Sequence, residues 1–420
     1  MAKRAPGLAA EALPTASLND GLTRSICELA SALIQIPSRG GLDPPSPVFQ
    51  RIAGWMREAR LKHRVITGSH GEPVALVCDV SAGSTGTRYI LNAPVDTAPF
   101  GDRSAWKHSP TSGLVHGDWL YGRGSADCKT AIAIFCHLAR EYASTTEGQP
   151  PAYGFSVLFD AGEHSGRFTG VRKYFADENA RRAVAGVMIG YPGDNRIVVG
   201  GRGFLRATIR VSGVTAHSGG SSLQGVNAVH RAAELVLTLD SLRLPSDSDF
   251  PLEPRLTVTA AHGGQGYAIV PDKCMLKVDI RLTPTFDTAE ARRLLDTVVH
   301  AMDAKWGDWE VRPTDIRYEE GWPAYQLNED APVVRALSEA VEDVFGFRLP
   351  LKTAGPSNTG NFLSSLGIAA TSGFGVRYEG LHSVDEAVVV SSILPVFKVY
   401  ERAISLLTKR RINDPPPQVV

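Results

Sequence analysis

The chain has 420 residues, with 44 Lys and Arg balanced by 44 Asp and Glu, a formal net charge of zero and a pI near 7.2. That length exceeds one ordinary domain and suits two, each able to bury its own core. The charge balance excludes an electrostatic footprint for nucleic acid or an anionic membrane surface, and no apolar stretch approaches a membrane span, so a small, roughly neutral substrate or a protein partner fits better.

At the start, the first twenty or so residues read as a flexible end, as does the tail Asp414-Pro415-Pro416-Pro417-Gln418. Pro6, Pro14 and Asp20 interrupt any apolar run before a signal-peptide core forms. The cysteines Cys27, Cys78, Cys128, Cys136 and Cys274 are scattered, without a C-x-x-C pair. Buried free thiols in a reducing compartment follow, and a cytoplasmic protein is expected.

Helical patterns over residues 22–36, 47–59, 128–142 and 171–179 alternate with apolar strand-like runs at 75–80, 88–92, 155–159 and 185–189. This alternation predicts an α/β fold with a mostly parallel sheet flanked by helices. From about residue 200 the order becomes strand 204–212, helix 225–239, strands 255–261 and 273–282, helix 289–304 and strand 309–317. That is βαββαβ, the ferredoxin-like unit, which closes on itself as a small domain. Beyond Gly321-Trp322-Pro323 the first pattern resumes, with helix 331–345, strand 369–374 and a closing helix 388–409. The expected organisation is a larger domain of residues 1–199 and 320–420 with residues 200–319 inserted.

Three segments can carry chemistry. In Gly122-Arg123-Gly124-Ser125-Ala126-Asp127-Cys128-Lys129, a strand-to-helix turn brings Asp127 to the mouth of the sheet, where ligands collect in open α/β folds. A capping Asp before a helix explains this residue equally well. An apolar strand ending in Asp160-Ala161-Gly162-Glu163-His164 offers one side chain to a metal and its neighbour to a water, or is a solvated loop. His382, in Gly380-Leu381-His382-Ser383-Val384-Asp385-Glu386, gains meaning only from company.

That company resembles the family of acetylornithine deacetylase, succinyl-diaminopimelate desuccinylase, aminoacylase and glutamate carboxypeptidase, two-zinc exopeptidases and amidohydrolases. The matching residues are Asp96 with Pro99, Gly101-Asp102 and Trp106, then Gly122-Arg123-Gly124 with Asp127 and Lys129, and Glu163. Ala216-His217-Ser218, Gly225-Val226-Asn227-Ala228, Gly263-Gly264, Val270-Pro271-Asp272, Asp279-Ile280-Arg281 and His382 with Asp385-Glu386 continue the match in order, over about residues 20 to 410. The resemblance implies a catalytic domain and, in residues 200–319, a lid and dimerisation domain, hence a homodimer.

It also implies a metal centre, from which this chain departs. Asp127 stands where the family has its bridging carboxylate and His382 where it has the late ligand. The other ion would need a His where Pro94 stands and a carboxylate where Tyr191 stands. Proline has no donor atom and a phenol is a poor ligand at neutral pH, so that half looks dismantled. His164 takes the second-acid position, and Asp127, His164 and His382 make a two-histidine, one-carboxylate set for one divalent metal, Zn2+ first, with Mn2+, Fe2+ or Co2+ also accommodated.

By the same resemblance Glu163 is the general base, Asp96 orients the His of the first site, and His217 is an oxyanion donor reaching a partner subunit; with Pro94 in place of that His, Asp96 either bonds to the turn or is simply inherited. Tyr191 is expected to donate to the oxyanion in place of the lost ion. Arg281 and the loop Ser357, Asn358, Thr359 and Gly360 are expected to bind a substrate carboxylate, although Asn358 stands where the family has Asp and Ala268 where it has Asn.

The implied activity is deacylation of an N-acyl amino acid or an amino-acid-carrier amide, with a small amino-acid-like or peptide substrate, carrier-linked or free. The alternative is a non-hydrolytic member that binds an amino acid, peptide or carrier protein, or runs amide formation, transfer or a lyase step. An iron oxygenase follows from ligand types alone and sits on the wrong fold class.

Overall fold

The computed structural model describes residues 20–145, 151–220, 225–306 and 311–409. The two expected flexible ends and the beginning of the strand expected over 309–317 lie outside these residues. The chain forms two compact units. One takes the described residues up to Val199, Leu327–Lys352 and those from Asn358 onward; the other takes Gly200–Gln326 and Thr353–Ser357. The second unit therefore runs on to Gln326 rather than stopping at 319.

The larger unit is built on a six-stranded sheet in the order Arg64–Thr67, Pro73–Ser81, Gly154–Asp160, Arg88–Pro94, Val184–Ile189, Ala370–Thr371. The last four strands in that order are parallel, while Pro73–Ser81 pairs antiparallel with Gly154–Asp160 and Arg64–Thr67 pairs antiparallel with Pro73–Ser81. Strand Gly154–Asp160 is buried along its whole length, as expected of a parallel strand that apolar residues cover. Helices Gly21–Ile34, Ser46–Glu58, Thr130–Thr145, Pro332–Phe345 and Ile393–Thr408 contribute Ile26, Leu33, Phe49, Ile52, Phe135, Leu337 and Phe397 to its core.

Some elements differ from expectation. Instead of one helix over 171–179 there are two, Thr169–Phe175 and Glu178–Arg182, because Asp177 leaves the helix and caps the second through Asn179 N. The closing helix begins only at Ile393; Ala387–Val389 is a strand paired antiparallel with Trp119–Tyr121, which suits its run of valines. Strand pairing over 369–374 is confined to Ala370–Thr371, since Gly373 turns the chain at φ +153°.

The smaller unit is the βαββαβ arrangement, with sheet order Arg255–Gly263, Lys273–Leu282, Gly203–Ser212, Asp315–Tyr318, all antiparallel. Its last strand pairs only from Asp315. Helices Ala228–Asp240 and Thr288–Ala304 cover one face, burying Ala232, Leu235, Leu295 and Val299 against Leu205, Ile209, Leu276 and Ile280.

All five cysteines are buried and free. Another buried polar group, His137 in helix Thr130–Thr145, stands clear of the chemistry. Its Nδ1 lies 2.8 Å from the Ala133 carbonyl, which can only accept, so Nδ1 carries the proton and Nε2, 2.9 Å from Ser25 Oγ, accepts. Burial pushes its pKa from 6.5 to about 4. Folding thus excludes a proton that the unfolded chain takes up, and stability falls as pH drops through that window, by at most about 3 kcal/mol. Urea midpoints at pH 7 and pH 4.5 should separate more in the parent than in His137→Gln; equal separations would refute the assignment.

Candidate functional site

Neighbouring parallel strands deliver the site. Pro94 ends one strand opposite Asp160, the last residue of the next, so Asp96 and the turn Gly162-Glu163-His164 leave the sheet side by side. Asp96 is buried, and its carboxylate accepts the backbone N–H groups of Gly162, Glu163 and His164 at 3.0, 3.2 and 3.0 Å. Of the two readings of Asp96 in this chain, bonding to the turn matches these contacts. Gly40 lets this turn close, because a Cβ there would lie 3.0 Å from Asp96 Oδ2 and 3.2 Å from His164 Cβ.

Asp127 arrives from the turn after Trp119–Tyr121, held by a residue far away in sequence. Glu386, fully buried, accepts from the backbone N–H groups of Gly124 and Ala126 at 3.0 Å each and Asp127 at 3.4 Å through Oε1, while Arg123 pairs with its Oε2. Arg123 also donates to the carbonyls of Pro99 and Ser383. The loop 380–386 that supplies Glu386 supplies His382 as well, at φ +60°. One carboxylate therefore ties together the two segments that carry Asp127 and His382. Burial raises the Glu386 pKa, with the Arg123 charge opposing the rise.

The ring of His382 reaches Asp127, with Nε2 2.9 Å from Oδ2, and His164 approaches the same oxygen with its Nε2 at 3.5 Å. Donor atoms of Asp127, His164 and His382 all lie within 4.8 Å of one another. Four-coordinate zinc with ligand bonds of about 2.0–2.1 Å spaces its donors about 3.3 Å apart, so the set fits one ion. His164 supports this from a second direction: its side chain is 8% exposed, and its ring nitrogens face carboxylate oxygens, Asp127 Oδ2 at 3.5 Å and Glu163 Oε2 at 3.1 Å, without a well-aligned hydrogen bond to either. Burial alone would lower the pKa of this imidazole, but Asp127, Glu163 and Asp96 around it raise it to about 10. The pocket demands positive charge, which a proton or a metal ion supplies. Burial opposes the Asp127 charge too, but His164 and His382 outweigh it and hold the carboxyl well below its usual range.

Glu163 is adjacent, with Oε2 3.1 Å from His164 Nδ1. Burial lifts its pKa to about 7. Tyr191, delivered by the end of strand Val184–Ile189, donates its O–H to Glu163 Oε1 at 2.7 Å. A phenol has one proton, so in this arrangement Tyr191 is committed to Glu163 rather than turned toward a substrate oxygen. Burial raises its pKa well above 10, and the phenol keeps that proton.

The expected substrate residues are less open than their types imply. Asn358 caps helix Thr359–Ser365 by accepting Gly360 N at 2.8 Å, and its own N–H goes to Asn361 Oδ1 at 2.8 Å. Thr359 N faces Tyr191 Oη at 3.5 Å. The loop amides expected to bind a carboxylate are thus spent internally. Arg281 pairs with Asp279 at 2.7 Å and its Nη1 reaches Ser357 Oγ at 3.4 Å, all within the smaller unit. His217, also in that unit, is exposed and accepts Gly219 N at Nδ1, a local loop cap.

Sequence reasoning missed the Glu386 and Arg123 clamp, although both residues lie inside motifs it quoted, and it missed Gly40. Dense negative charge behind the site is moderated by Asp160, whose carboxyl burial raises well above the usual range and which accepts from Asn92 Nδ2 at 2.7 Å.

A family model described as Peptidase family M20/M25/M40 matches residues 90–406. The succinyl-diaminopimelate desuccinylase of Aromatoleum aromaticum is 28% identical over 344 residues, covering 79% of this chain and 85% of that protein. The protein of the same name from Methylobacillus flagellatus is 25% identical over 337 residues, covering 78% and 86%. Among solved structures, the M20 family metallo-carboxypeptidase Sso-CP2 from Sulfolobus solfataricus has a TM-score of 0.74 at 17% identity, covering 93% of this chain and 99% of that one. Aminopeptidase PepT from Bacillus cereus has a TM-score of 0.72 at 18% identity, covering 93% and 100%. At such identities the structural likeness speaks for the fold.

Proposed function

Because the chain belongs to peptidase family M20/M25/M40, we propose that this metallo-amidohydrolase removes the acyl group from an N-acyl amino acid with one divalent ion, zinc as first choice. The observation that carries the one-ion reading is the convergence of Asp127, His164 and His382 on one point, while Pro94 and Tyr191 occupy the positions where another ion would need ligands. Neighbouring carboxylates do not take over: Asp96 is bound to three backbone amides, and Asp194 pairs with Arg377 at 2.9 Å.

Asp127, His164 and His382 would hold the ion, which would supply polarisation of the scissile carbonyl and a water with its pKa lowered toward about 7. Glu163 takes the proton of the attacking water and returns it to the departing amine. Tyr191 fixes Glu163 through Oε1, and the remaining lone pairs of the carboxylate accept the proton. Asp96 keeps the 162–164 turn rigid, so the base and His164 hold a constant spacing.

The names of the relatives make N-succinyl amino acids the first members of a substrate panel, with N-acetyl amino acids and dipeptides beside them. Metal analysis of the purified chain should find one equivalent, and chelation should abolish hydrolysis and lower the thermal midpoint. No bound metal together with an unaltered midpoint on chelation would overturn the reading; two equivalents would overturn its one-ion part. An ion bound without hydrolysis anywhere in the panel would favour the non-hydrolytic alternative.

A further inference from the structure

One group in the site is not used by the ligand set or the base. Cys128 is fully buried, and its thiol donates to Asp127 Oδ1 at 2.8 Å. The two oxygens of Asp127 are therefore unequal. Oδ2 faces both imidazoles, whereas Oδ1 is capped. The buried ring of His164, which makes no well-aligned hydrogen bond, independently marks the Oδ2 side as the side where a ligand sits.

We infer that Cys128 is a positioning residue that makes Asp127 a one-oxygen ligand, directing Oδ2 to a single ion and withholding Oδ1 from coordination. This rests on the metallohydrolase reading. A carboxylate shared by two ions offers one oxygen to each, and here the second oxygen is spoken for. The same substitution recurs on the base, where the O–H of Tyr191 meets Glu163 Oε1. Hydrogen-bonded partners of ligands set their orientation and basicity, and a thiol between a ligand and the core is such a partner.

The test is Co2+ titration of the full chain after chelator treatment, for the parent, Cys128→Ala and Cys128→Ser, following equivalents bound, affinity and the d–d absorption of the ion. The parent should bind one equivalent with the intense band of four-coordinate Co2+. Cys128→Ala should bind about 10- to 100-fold more weakly, with a weaker band as the released Oδ1 joins the ion. Cys128→Ser, which keeps a donor, should return both readouts close to the parent. If the Ala variant fails to fold, Cys128→Val removes the donor in its stead. Unchanged affinity and spectrum in the donor-less variant would overturn the inference, as would a Ser variant altered as much as Ala. A parent chain that takes up no Co2+ would instead overturn the metallohydrolase reading itself.

Discussion

Glu163→Gln is expected to lower kcat by about 10² to 10⁴, the usual contribution of a positioned general base, while ion content stays at the parent value. Gln keeps the size of Glu and can still accept from Tyr191, but it cannot carry the proton between water and amine. The side chain stands beside His164, with Oε2 3.1 Å from its Nδ1, and does not belong to the converging ligand set. Steady-state kinetics on whichever N-acyl amino acid the parent hydrolyses, with metal analysis alongside, check both halves. Tyr191→Phe separates holding the base from being the base: losing one hydrogen bond to a charged group should cost about tenfold. Parent-like turnover in Glu163→Gln would remove Glu163 from the mechanism.

The second large effect is expected away from the chemistry. Arg123→Met leaves Glu386 buried without its cation, and breaking such a pair typically costs about 3 to 5 kcal/mol. The loss includes the bonds of Arg123 to Pro99 and Ser383 and its guanidinium over the Trp106 ring at 5.2 Å. Urea unfolding should report it as a lowered midpoint. Adding Glu386→Gln should recover part of the stability, since a neutral amide needs no counter-ion and still accepts from the loop amides. A single variant as stable as the parent would mean that Glu386 is already neutral in the fold, making the clamp a set of hydrogen bonds rather than an ion pair.

Much of the architecture was legible because period and punctuation are local properties. Strand 88–92 and helix 128–142 announce themselves by apolar spacing, close to the observed Arg88–Pro94 and Thr130–Thr145, and Asp127, Glu163 and His382 by their motifs. Pairing partners are another matter. Nothing near Val388 says that it lies against Leu120, and a valine run before a helix reads as more helix. The candidate site was legible in the residue types that converge and opaque in its hydrogen bonds. Tyr191 looked like a donor facing substrate because its position was known and its direction was not. Cys128 was taken for another buried thiol, because the direction of S–H onto Asp127 is set by the turn and not by neighbouring letters. Asn358 and Gly360 read as open loop residues, whereas the cap that consumes their amides needs Asn361 and helix geometry to be seen.

The strands Arg88–Pro94 and Gly154–Asp160 pair without a break in register, and Asp96 meets an amide 66 residues further on. Two distant stretches of chain are thereby cut to a common length. One extra residue in either would advance its loop by about 3.3 Å and reverse the facing of every side chain beyond it. The geometry accordingly tolerates exchange of side chains at this centre, at constant spacing, better than any change in the number of residues. Gain or loss of residues is left to the opposite ends of the strands, where turns are free to change length without retuning the chemistry.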